Sequence, residues 1–417
     1  MWKWTRSDNI QLLILDGDTL EEEFLTYPYS KDDKVIKTVV VTKSEKLTGH
    51  KNSIKFFDFY DLIHEIIEKE KSESYSIISI SKDILFLKSM MEYHIGTILV
   101  GTLIYDFLKN IPDYTVQNIN SIEKILNLDT KGYGAEIFAT YSSSRKKMSL
   151  LHCNEFVMLD DGNERNVDLY FGGRYYANKH MYILNDPLSH IVKQFKSGYV
   201  KAVDLFFDSV CCYIARRENI DYFTYIPLKP NDIKEGKFDR FNSLQLSKLK
   251  KNNMQLDSIL NCKEDFSQKG NDLYVRREIV KGAFEVIKDV ENKTIVIIDD
   301  VFSSGSTILE AVKTLYEAGA KKVIAVLLSV NQLTESSIKY KNLKCNICGS
   351  NMKLRMNKSS GQLFFGCENY QEHENGKSST IDLLSGMDTL KEINKLEDTI
   401  DQMKIDWQED HVERMAA

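Results

Sequence analysis

Two adjacent carboxylates, Asp299 and Asp300, stand near the end of a continuous apolar run that begins at Thr294. A turn of small, hydroxyl-rich residues follows, formed by Ser303, Ser304, Gly305, Ser306 and Thr307. Carboxylates can accept hydrogen bonds from a ribose diol, and serine and threonine hydroxyls can donate to a phosphate. The spacing therefore indicates a site for a phosphorylated sugar.

Two strands and a helix are predicted to position these residues. The apolar run reads as a buried parallel strand, and an amphipathic helix with apolar residues at 308, 311, 312 and 315 follows the turn. A second buried strand, 322–329, completes the unit. In open α/β sheets, ligands bind at the carboxyl ends of strands, where a helix N-terminus presents free N–H groups to a phosphate. The lysine of a GxxxxGK[ST] loop is absent, which excludes that class of nucleotide site.

The stretch IVIIDDVFSSGST resembles the phosphoribosyl-pyrophosphate (PRPP) signature of type I phosphoribosyltransferases. The resemblance implies that Asp299 and Asp300 contact the ribose hydroxyls and that residues 303–307 hold the 5′-phosphate. It also implies Mg²⁺ as the ion that accompanies PRPP. An ordinary strand, acidic turn and helix without a ligand is the alternative reading of the same residues.

The residues before this signature are similar to the ComF-like branch of that family. DPLSHIVKQFKSGY resembles its opening helix, FDRFNSLQLSKL matches the position of its Phe-Asn-Gln helix, and a segment ending in Gly-Ala-Phe resembles its mobile loop. The resemblance implies that Lys229, in the turn PLKP, binds pyrophosphate together with Arg276, Arg277 and Lys281 of a closing lid. Solvated surface cations are the alternative for each of them.

The N-terminal stretch NIQLLILDGDTL is an apolar strand that ends in two acids, Asp16 and Asp18. It resembles the first motif of the haloacid dehalogenase (HAD) superfamily, which implies a nucleophile at Asp16 and an acid–base residue at Asp18. Thr42 ends a strand that resembles the second motif. Where active members carry further acids for Mg²⁺, only Asp83 is present, so we expect a HAD-like fold with a degraded site rather than an active phosphatase.

Cys345 and Cys348 form a CxxC pair, and Cys367 with His373 forms a second pair eighteen residues beyond the first. Two such pairs joined by strands can place four N/S ligands tetrahedrally around Zn²⁺ and leave no open position for catalysis. The segment resembles the zinc ribbons of topoisomerase C-termini. Its basic and aromatic neighbours could bind single-stranded nucleic acid, or could equally be hairpin packing and solvated charge.

Composition limits the classes of protein to which the chain can belong. The chain has 417 residues, 42% hydrophobic and 28% charged, with a formal net charge of −6, which argues against a protein that coats nucleic acid generally. No apolar run is long enough to span a membrane, and the first residues lack the apolar core of a signal peptide. Seven cysteines do not indicate a disulfide framework, so we expect a cytoplasmic location.

The predicted fold class is α/β, and the sequence predicts five segments. They are a HAD-like Rossmannoid domain (1–128), linker or cap strands (129–185), a ComF-like phosphoribosyltransferase parallel-sheet domain (186–340), a zinc ribbon (341–382) and a C-terminal amphipathic helix (383–417). That helix carries apolar residues at 393, 396, 400, 403 and 407, and we expect it to dock on the protein, on a second copy or on a partner.

The predicted activity is transfer of a phosphoribosyl group from PRPP, with Mg²⁺, to an unidentified base or nucleotide-like acceptor. Two alternatives stay open from the sequence. One is a sensor that binds PRPP or a nucleotide without transfer. The other is a nucleic-acid-linked effector in competence or phage (antiviral) defence, which the zinc ribbon would recruit.

Overall fold

The computed structural model of the chain describes residues 2, 3, 5, 8–44, 52–127, 132–140, 149–176, 186–196, 198, 200–266, 273–332, 343–356, 363–373, 379–382, 385, 386 and 389. Within these ranges no helix is both long and apolar enough to cross a membrane. The predicted C-terminal helix lies outside them, apart from 385, 386 and 389. Residues 180–184, predicted as a strand, and residues 267–272 of the predicted lid lie outside them as well.

The N-terminal part alternates strands with helices. Its strands are β1 (Leu12–Asp16), β2 (Ser30–Lys31), β3 (Lys34–Val35), β4 (Lys37–Thr42), β5 (Ser53–Lys55), β6 (Ile77–Ser81), β7 (Gly96–Val100) and β8 (Tyr114–Val116). Its helices are α1 (Glu22–Thr26), α2 (Phe59–Glu70), α3 (Ile84–Glu92) and α4 (Ile119–Leu126). The next helix, α5 (Gly134–Ala139), packs in the core of the central part.

Six of these strands form one sheet, in the order β5-β4-β1-β6-β7-β8, and every neighbouring pair is parallel. β1, β6 and β7 are buried along their whole length, which explains their nearly continuous apolar sequences. The order reverses between β1 and β6, so the carboxyl ends of these two strands lie at a topological switch point. The predicted α/β class is confirmed, whereas the HAD-like identity of this part stays a prediction.

The central part contains a second sheet. Its strands are β9 (Leu151–Met158), β10 (Glu164–Phe171), β11 (Arg174–Tyr176), β12 (Tyr222–Tyr225), β13 (Leu260–Cys262), β14 (Phe284–Val286), β15 (Thr294–Phe302) and β16 (Lys322–Gln332). Its helices are α6 (Pro187–Lys196), α7 (Lys201–Ala215), α8 (Pro230–Lys234), α9 (Ser247–Lys251), α10 (Leu273–Val280) and α11 (Ser306–Glu317).

The second sheet has the order β12-β15-β16-β10-β9, with β11 also paired to β16. β15 lies between β12 and β16 and is parallel to both, as the buried apolar runs predict. β13 and β14 form a separate two-stranded ladder. A small three-stranded sheet follows, made of β17 (Met352–Met356), β18 (Leu363–Cys367) and β19 (Thr380–Asp382).

Residues 129–185 were predicted as linker or cap strands, and the described part of this range contributes three strands to the second sheet. β9 and β10 form an antiparallel hairpin, and β10 then continues the sheet through parallel pairing with β16. Val167, Leu169 and Phe171 are fully buried against the core. The alternating sequence pattern predicts this burial but does not show which strand β10 pairs with. The residues 238–246, expected as part of a helix, are turns, and only α9 is helical there.

The segment after β7 joins the two large sheets. The Tyr105 ring packs edge-on against Phe302 with centroids 5.8 Å apart. The Gln332 side chain accepts from the Ile111 N–H (2.9 Å) and donates to the Leu108 carbonyl (3.1 Å). These contacts place the N-terminal part directly against the carboxyl ends of β15 and β16.

A buried ionic network crosses the same junction. The Arg174 guanidinium donates to both carboxylate oxygens of Glu136 (2.9 and 3.1 Å) and to Asp113 (2.7 Å). Lys3 donates to Asp186 at 2.5 Å and lies 3.5 Å from Glu136. Burial opposes ionisation of Glu136, but Arg174 and Lys3 more than offset it and hold the pKa of that carboxyl below its usual range. The network therefore depends on every charge having its partner.

We expect Arg174→Met to destabilise the protein by about 3–5 kcal/mol, because it leaves two buried carboxylates without their cation. Urea unfolding followed by tryptophan fluorescence measures the change. Lys288→Met is the matched control, since it breaks the solvent-exposed Lys288–Asp257 pair (3.2 Å) and should cost under about 1 kcal/mol. Equal urea midpoints for the two variants would show that the buried network contributes no more to stability than the Lys288–Asp257 pair.

Candidate functional site

The acid pair, Asp299 and Asp300, lies on β15 where the strand reaches the carboxyl edge of the sheet. The strand is buried at every position except Val301, so both acids are themselves buried, with 8% and 5% exposure. The Asp299 Oδ1 accepts the Asp300 N–H at 2.8 Å. Burial raises the pKa of Asp299 to about 7, and the neighbouring Asp300 carboxylate acts in the same direction.

Two cations face the Asp300 carboxylate. Arg240 Nη2 lies 3.1 Å and Lys196 Nζ 3.9 Å from its Oδ2. The Arg240 contact is close enough for a hydrogen bond but is not aligned as one, so Asp300 Oδ2 is buried without a hydrogen-bond partner, as is Arg240 Nε. Buried polar atoms left in this state in a native site commonly meet a ligand, an ion or water. Neither Arg240 nor Lys196 was among the residues predicted to form the site.

The 303–307 turn connects β15 to α11, which begins at Ser306. Gly305 has φ +78°, and a Cβ there would lie 2.6 Å from the Phe302 ring and 2.9 Å from the Tyr105 hydroxyl, so glycine is required. The Ser304 and Ser306 hydroxyls are 3.0 Å apart and hydrogen-bonded. The turn lies at the N-terminal end of this 12-residue helix, where the positive end of the helix dipole suits an anion.

A cleft of about 410 Å³ opens beside the acid pair. Five of the predicted site residues line it: Lys229, Asp299, Asp300, Ser303 and Thr307. Lys229 Nζ donates to the Phe266 carbonyl and lies 3.9 Å from the centre of that ring. Among the lining residues that the sequence missed are Tyr175, Lys196, Arg240 and Asn331. These come from β11, α6, the turn after α8 and the end of β16, so no local pattern unites them.

The predicted basic lid takes a different position. Arg276 and Arg277 lie on α10, Lys281 follows it, and none of the three lines the cleft. Burial raises the pKa of the Tyr105 hydroxyl in the N-terminal part to about 12, and the nearby Arg277 charge acts in the opposite direction. α10 packs on α11 and is held there by the Gly282 N–H, which donates to Glu310 at 2.6 Å. A role for these cations in pyrophosphate binding therefore stays a prediction.

The N-terminal acids occupy the carboxyl ends of the first sheet. Asp16 accepts from the hydroxyls of Ser81 (2.5 Å) and Thr19 (2.6 Å), and Asp18 accepts from Thr42 (2.5 Å). Asp83 accepts from the Leu85 N–H at 2.8 Å and so caps α3. Burial raises the pKa of Asp16. Protein donors thus satisfy these carboxylates, and phosphatase chemistry here stays a prediction.

The four predicted zinc ligands converge. The ligand atoms of Cys345, Cys348, Cys367 and His373 all lie within 4.8 Å of one another. Individual separations include 3.4 Å between the sulfurs of Cys348 and Cys367 and 3.6 Å between Cys345 Sγ and His373 Nε2. A tetrahedral zinc site with Zn–S bonds of about 2.3 Å needs ligand separations of roughly 3.8 Å. The donor set and its spacing therefore fit a structural zinc ion.

The backbone around the cluster supports that reading. The Ile347 N–H points at Cys345 Sγ (3.4 Å) and the Asn369 N–H points at Cys367 Sγ (3.3 Å), in each case two residues after the cysteine. Such N–H···S contacts stabilise a thiolate in a metal-binding turn. Gly349, at φ +70°, supplies the left-handed residue that closes the first turn.

Three of the basic and aromatic neighbours of the cluster, Lys353, Arg355 and Phe365, have partners within this small sheet or are buried in it. Lys353 pairs with Glu368 at 2.8 Å. Arg355 donates to the Cys367 carbonyl (3.1 Å) and lies 5.2 Å from the Tyr370 ring centre. Phe365 is fully buried. These contacts favour hairpin packing over a nucleic-acid surface for the described part of the ribbon.

One segment of the chain is similar to a known family, which is described as a phosphoribosyl transferase domain. The family model of that description matches residues 261–353, a range that contains the acid pair and the 303–307 turn. No curated protein matches the chain. A solved structure titled "Structure of Leishmania donovani UMP synthase" is 14% identical, with 74% of this chain and 62% of that chain covered, at a TM-score of 0.20. A similarity at that level bears on neither fold nor activity.

We expect the purified protein to carry about one zinc ion per chain, held by the four-ligand cluster. Cys348→Ser should lower the zinc content measured by atomic absorption and weaken retention against a chelator, because the site loses one of its four donors. Cys262→Ser is the matched control, since that cysteine lies on β13 outside the cluster. Full zinc content in Cys348→Ser would disprove the assignment.

Proposed function

We propose that this protein transfers the 5-phosphoribosyl group of PRPP to a nitrogen acceptor and releases pyrophosphate. The observation that carries the proposal is one continuous element: a buried strand ends in the acid pair, and a glycine turn then opens α11 beside a cleft. The family match over residues 261–353 supports the same chemistry.

Each part of the cleft has a task in this proposal. The ribose hydroxyls donate to the carboxylates of Asp299 and Asp300, where Asp300 Oδ2 lacks an aligned donor of its own. The backbone N–H groups and hydroxyls of residues 303–307 donate to the 5′-phosphate. Arg240, Lys196 and Lys229 line the remaining wall and balance the charge of the pyrophosphate.

The bond from C1 of the ribose to the pyrophosphate oxygen breaks, and its electron pair leaves with the pyrophosphate. The acceptor nitrogen forms the new bond to C1, and the proton that it carried passes to water. The reaction requires no covalent enzyme intermediate. Most of the rate enhancement therefore comes from binding both reactants in one cleft. The three cations act where negative charge develops on the leaving group.

Mg²⁺ fits this cleft as an ion carried by the substrate. Among the described residues, the cysteine–histidine cluster is the only group of three or more candidate metal ligands. The described residues of the cleft therefore do not form a metal site made of protein ligands alone. Mg²⁺ keeps several waters and binds through one or two carboxylates and substrate phosphates, a role that Asp299 or Asp300 fits. When bound, the ion would neutralise part of the pyrophosphate charge.

We expect Asp300→Asn to weaken PRPP binding by roughly 10- to 100-fold, because hydrogen bonds from ribose hydroxyls to a charged acceptor contribute about 1.5–3 kcal/mol. Isothermal titration with PRPP and Mg²⁺, without acceptor, measures the affinity. Asp289→Asn removes an exposed carboxylate of the same domain and should leave the affinity unchanged. PRPP binding with equal affinity in both variants would refute the assigned role of Asp300.

A second expectation concerns Tyr105, whose ring and hydroxyl contact Phe302 and the Gly305 turn from the N-terminal part. Tyr105→Ala should weaken PRPP binding by roughly 2- to 12-fold, since aromatic pairs contribute about 0.5–1.5 kcal/mol beyond area burial. Tyr105→Phe keeps the ring and should retain most of the affinity.

Phe57→Ala serves as the control in the same titration, because Phe57 is an aromatic residue of the N-terminal part with 85% exposure. An unchanged PRPP affinity in Tyr105→Ala would mean that the N-terminal part does not support the turn.

A further inference from the structure

One cation of the cleft is held in place by a residue that lies far from it in the sequence. Lys229 and Phe266 both line the cleft, and both are half-buried. The Lys229 ammonium donates to the Phe266 carbonyl and lies 3.9 Å from the centre of the Phe266 ring. The backbone and the ring of a single residue therefore fix the position of this ammonium.

Phe266 is itself anchored on both sides. Its ring packs edge-on against Phe284 of β14, with centroids 6.3 Å apart, and it joins the hydrophobic core there. The preceding residue, Asp265, accepts the Asn231 N–H at 2.8 Å. Residues 265–266 thus connect β14 to the turn that carries Lys229, so the position of Lys229 depends on long-range packing as well as on its own turn.

These contacts leave the charge of Lys229 available to a ligand. An ammonium has three N–H donors, of which the Phe266 carbonyl accepts one. The negative face of an aromatic ring attracts the cation but does not neutralise it. Among the described residues, Lys229 forms no ion pair with a carboxylate. Its charge and at least one donor can therefore serve an anion in the cleft.

The other two cations that line the cleft have a different environment. Arg240 Nη2 and Lys196 Nζ lie 3.1 and 3.9 Å from Asp300 Oδ2, so this carboxylate balances part of their charge. Lys229 has a carbonyl and a ring as its neighbours instead. Of the three, Lys229 is therefore the cation whose charge the acid pair offsets least.

We propose that Phe266 is a positioning residue for Lys229, and that it holds the ammonium where the pyrophosphate of PRPP binds. This inference rests on the proposed phosphoribosyl transfer and deepens it. A lysine side chain loses much rotamer freedom when it is ordered, and ordering it before the substrate binds removes that cost from the binding step. Phe266 acts only through Lys229 and takes no part in breaking or forming a bond.

The test compares ligands that contain pyrophosphate with one that lacks it. Isothermal titration of the full-length protein with Mg²⁺ measures the affinities for PRPP, for pyrophosphate and for ribose 5-phosphate. Phe266→Leu removes the ring but keeps the backbone carbonyl and an apolar side chain, whereas Phe266→Tyr keeps the ring. Phe156→Leu is the matched control, because Phe156 is 60% exposed on β9 and does not line the cleft. Thermal unfolding checks that each variant is folded.

We expect Phe266→Leu to weaken the binding of PRPP and of pyrophosphate by roughly 3- to 30-fold, the range expected for a cation–π contact. The affinity for ribose 5-phosphate should stay within about 1.5-fold of wild type. Phe266→Tyr and Phe156→Leu should match wild type with all three ligands. When Lys229→Met is already present, Phe266→Leu should cause no further loss of PRPP affinity, because there is no ammonium left to position.

Three results would overturn the inference. An equal loss of affinity for ribose 5-phosphate in Phe266→Leu would indicate general packing, and tighter PRPP binding would show that Phe266 holds Lys229 away from the ligand. The third is a full additional loss in the Lys229→Met background.

The same titrations separate this inference from the proposed function. Wild type that binds PRPP, with Phe266→Leu unchanged, would remove the role of Phe266 and leave the proposed function standing. Wild type that binds pyrophosphate in a Phe266-dependent manner but does not bind PRPP would remove the proposed function and leave the positioning of Lys229 intact. Wild type that binds neither ligand would contradict both.

Discussion

The structure around the cleft depends on the burial of two adjacent carboxylates at the end of β15. Burial raises the pKa of Asp299, and repulsion from the neighbouring Asp300 carboxylate adds to the effect. The protein balances them from three directions: the N-terminal end of α11, the Arg240 guanidinium from the turn after α8, and Lys196 at the end of α6. Burying two acids on one strand is costly, so the proposed site depends on this pair more than on any other feature.

The same edge of the sheet also forms the junction with the N-terminal part. Phe302 and Gln332, at the ends of β15 and β16, contact Tyr105 and the 108–111 segment. The buried network of Arg174, Glu136, Asp113, Asp186 and Lys3 holds that junction together. The N-terminal part consequently supports the 303–307 turn, whose geometry depends on the packing of two sheets rather than one.

The local features of this site could be predicted from the sequence, because they are contiguous. Residues 294–317 contain an apolar run, two acids, a glycine turn and an amphipathic helix. The CxxC pair is likewise contiguous and predicts a metal-binding turn. Arg240, Asn331 and Tyr175 could not be found in this way, since long-range strand pairing brings them together. The sequence left a linker hairpin and a cap open for β9 and β10 for the same reason: alternation shows which residues are buried but not which strand they join. Arg277 has the charge of a pyrophosphate ligand, but α10 places it near Tyr105.

The central claim is that one strand–turn–helix element binds PRPP, and a crystal structure of the full-length protein with PRPP and Mg²⁺ tests it most directly. The predicted result has the ribose hydroxyls within hydrogen-bond distance of Asp299 and Asp300, and the 5′-phosphate against the N–H groups of residues 303–307. PRPP bound elsewhere, or a cleft that stays empty at saturating PRPP while Arg240 and Lys196 still face Asp300, would contradict the account.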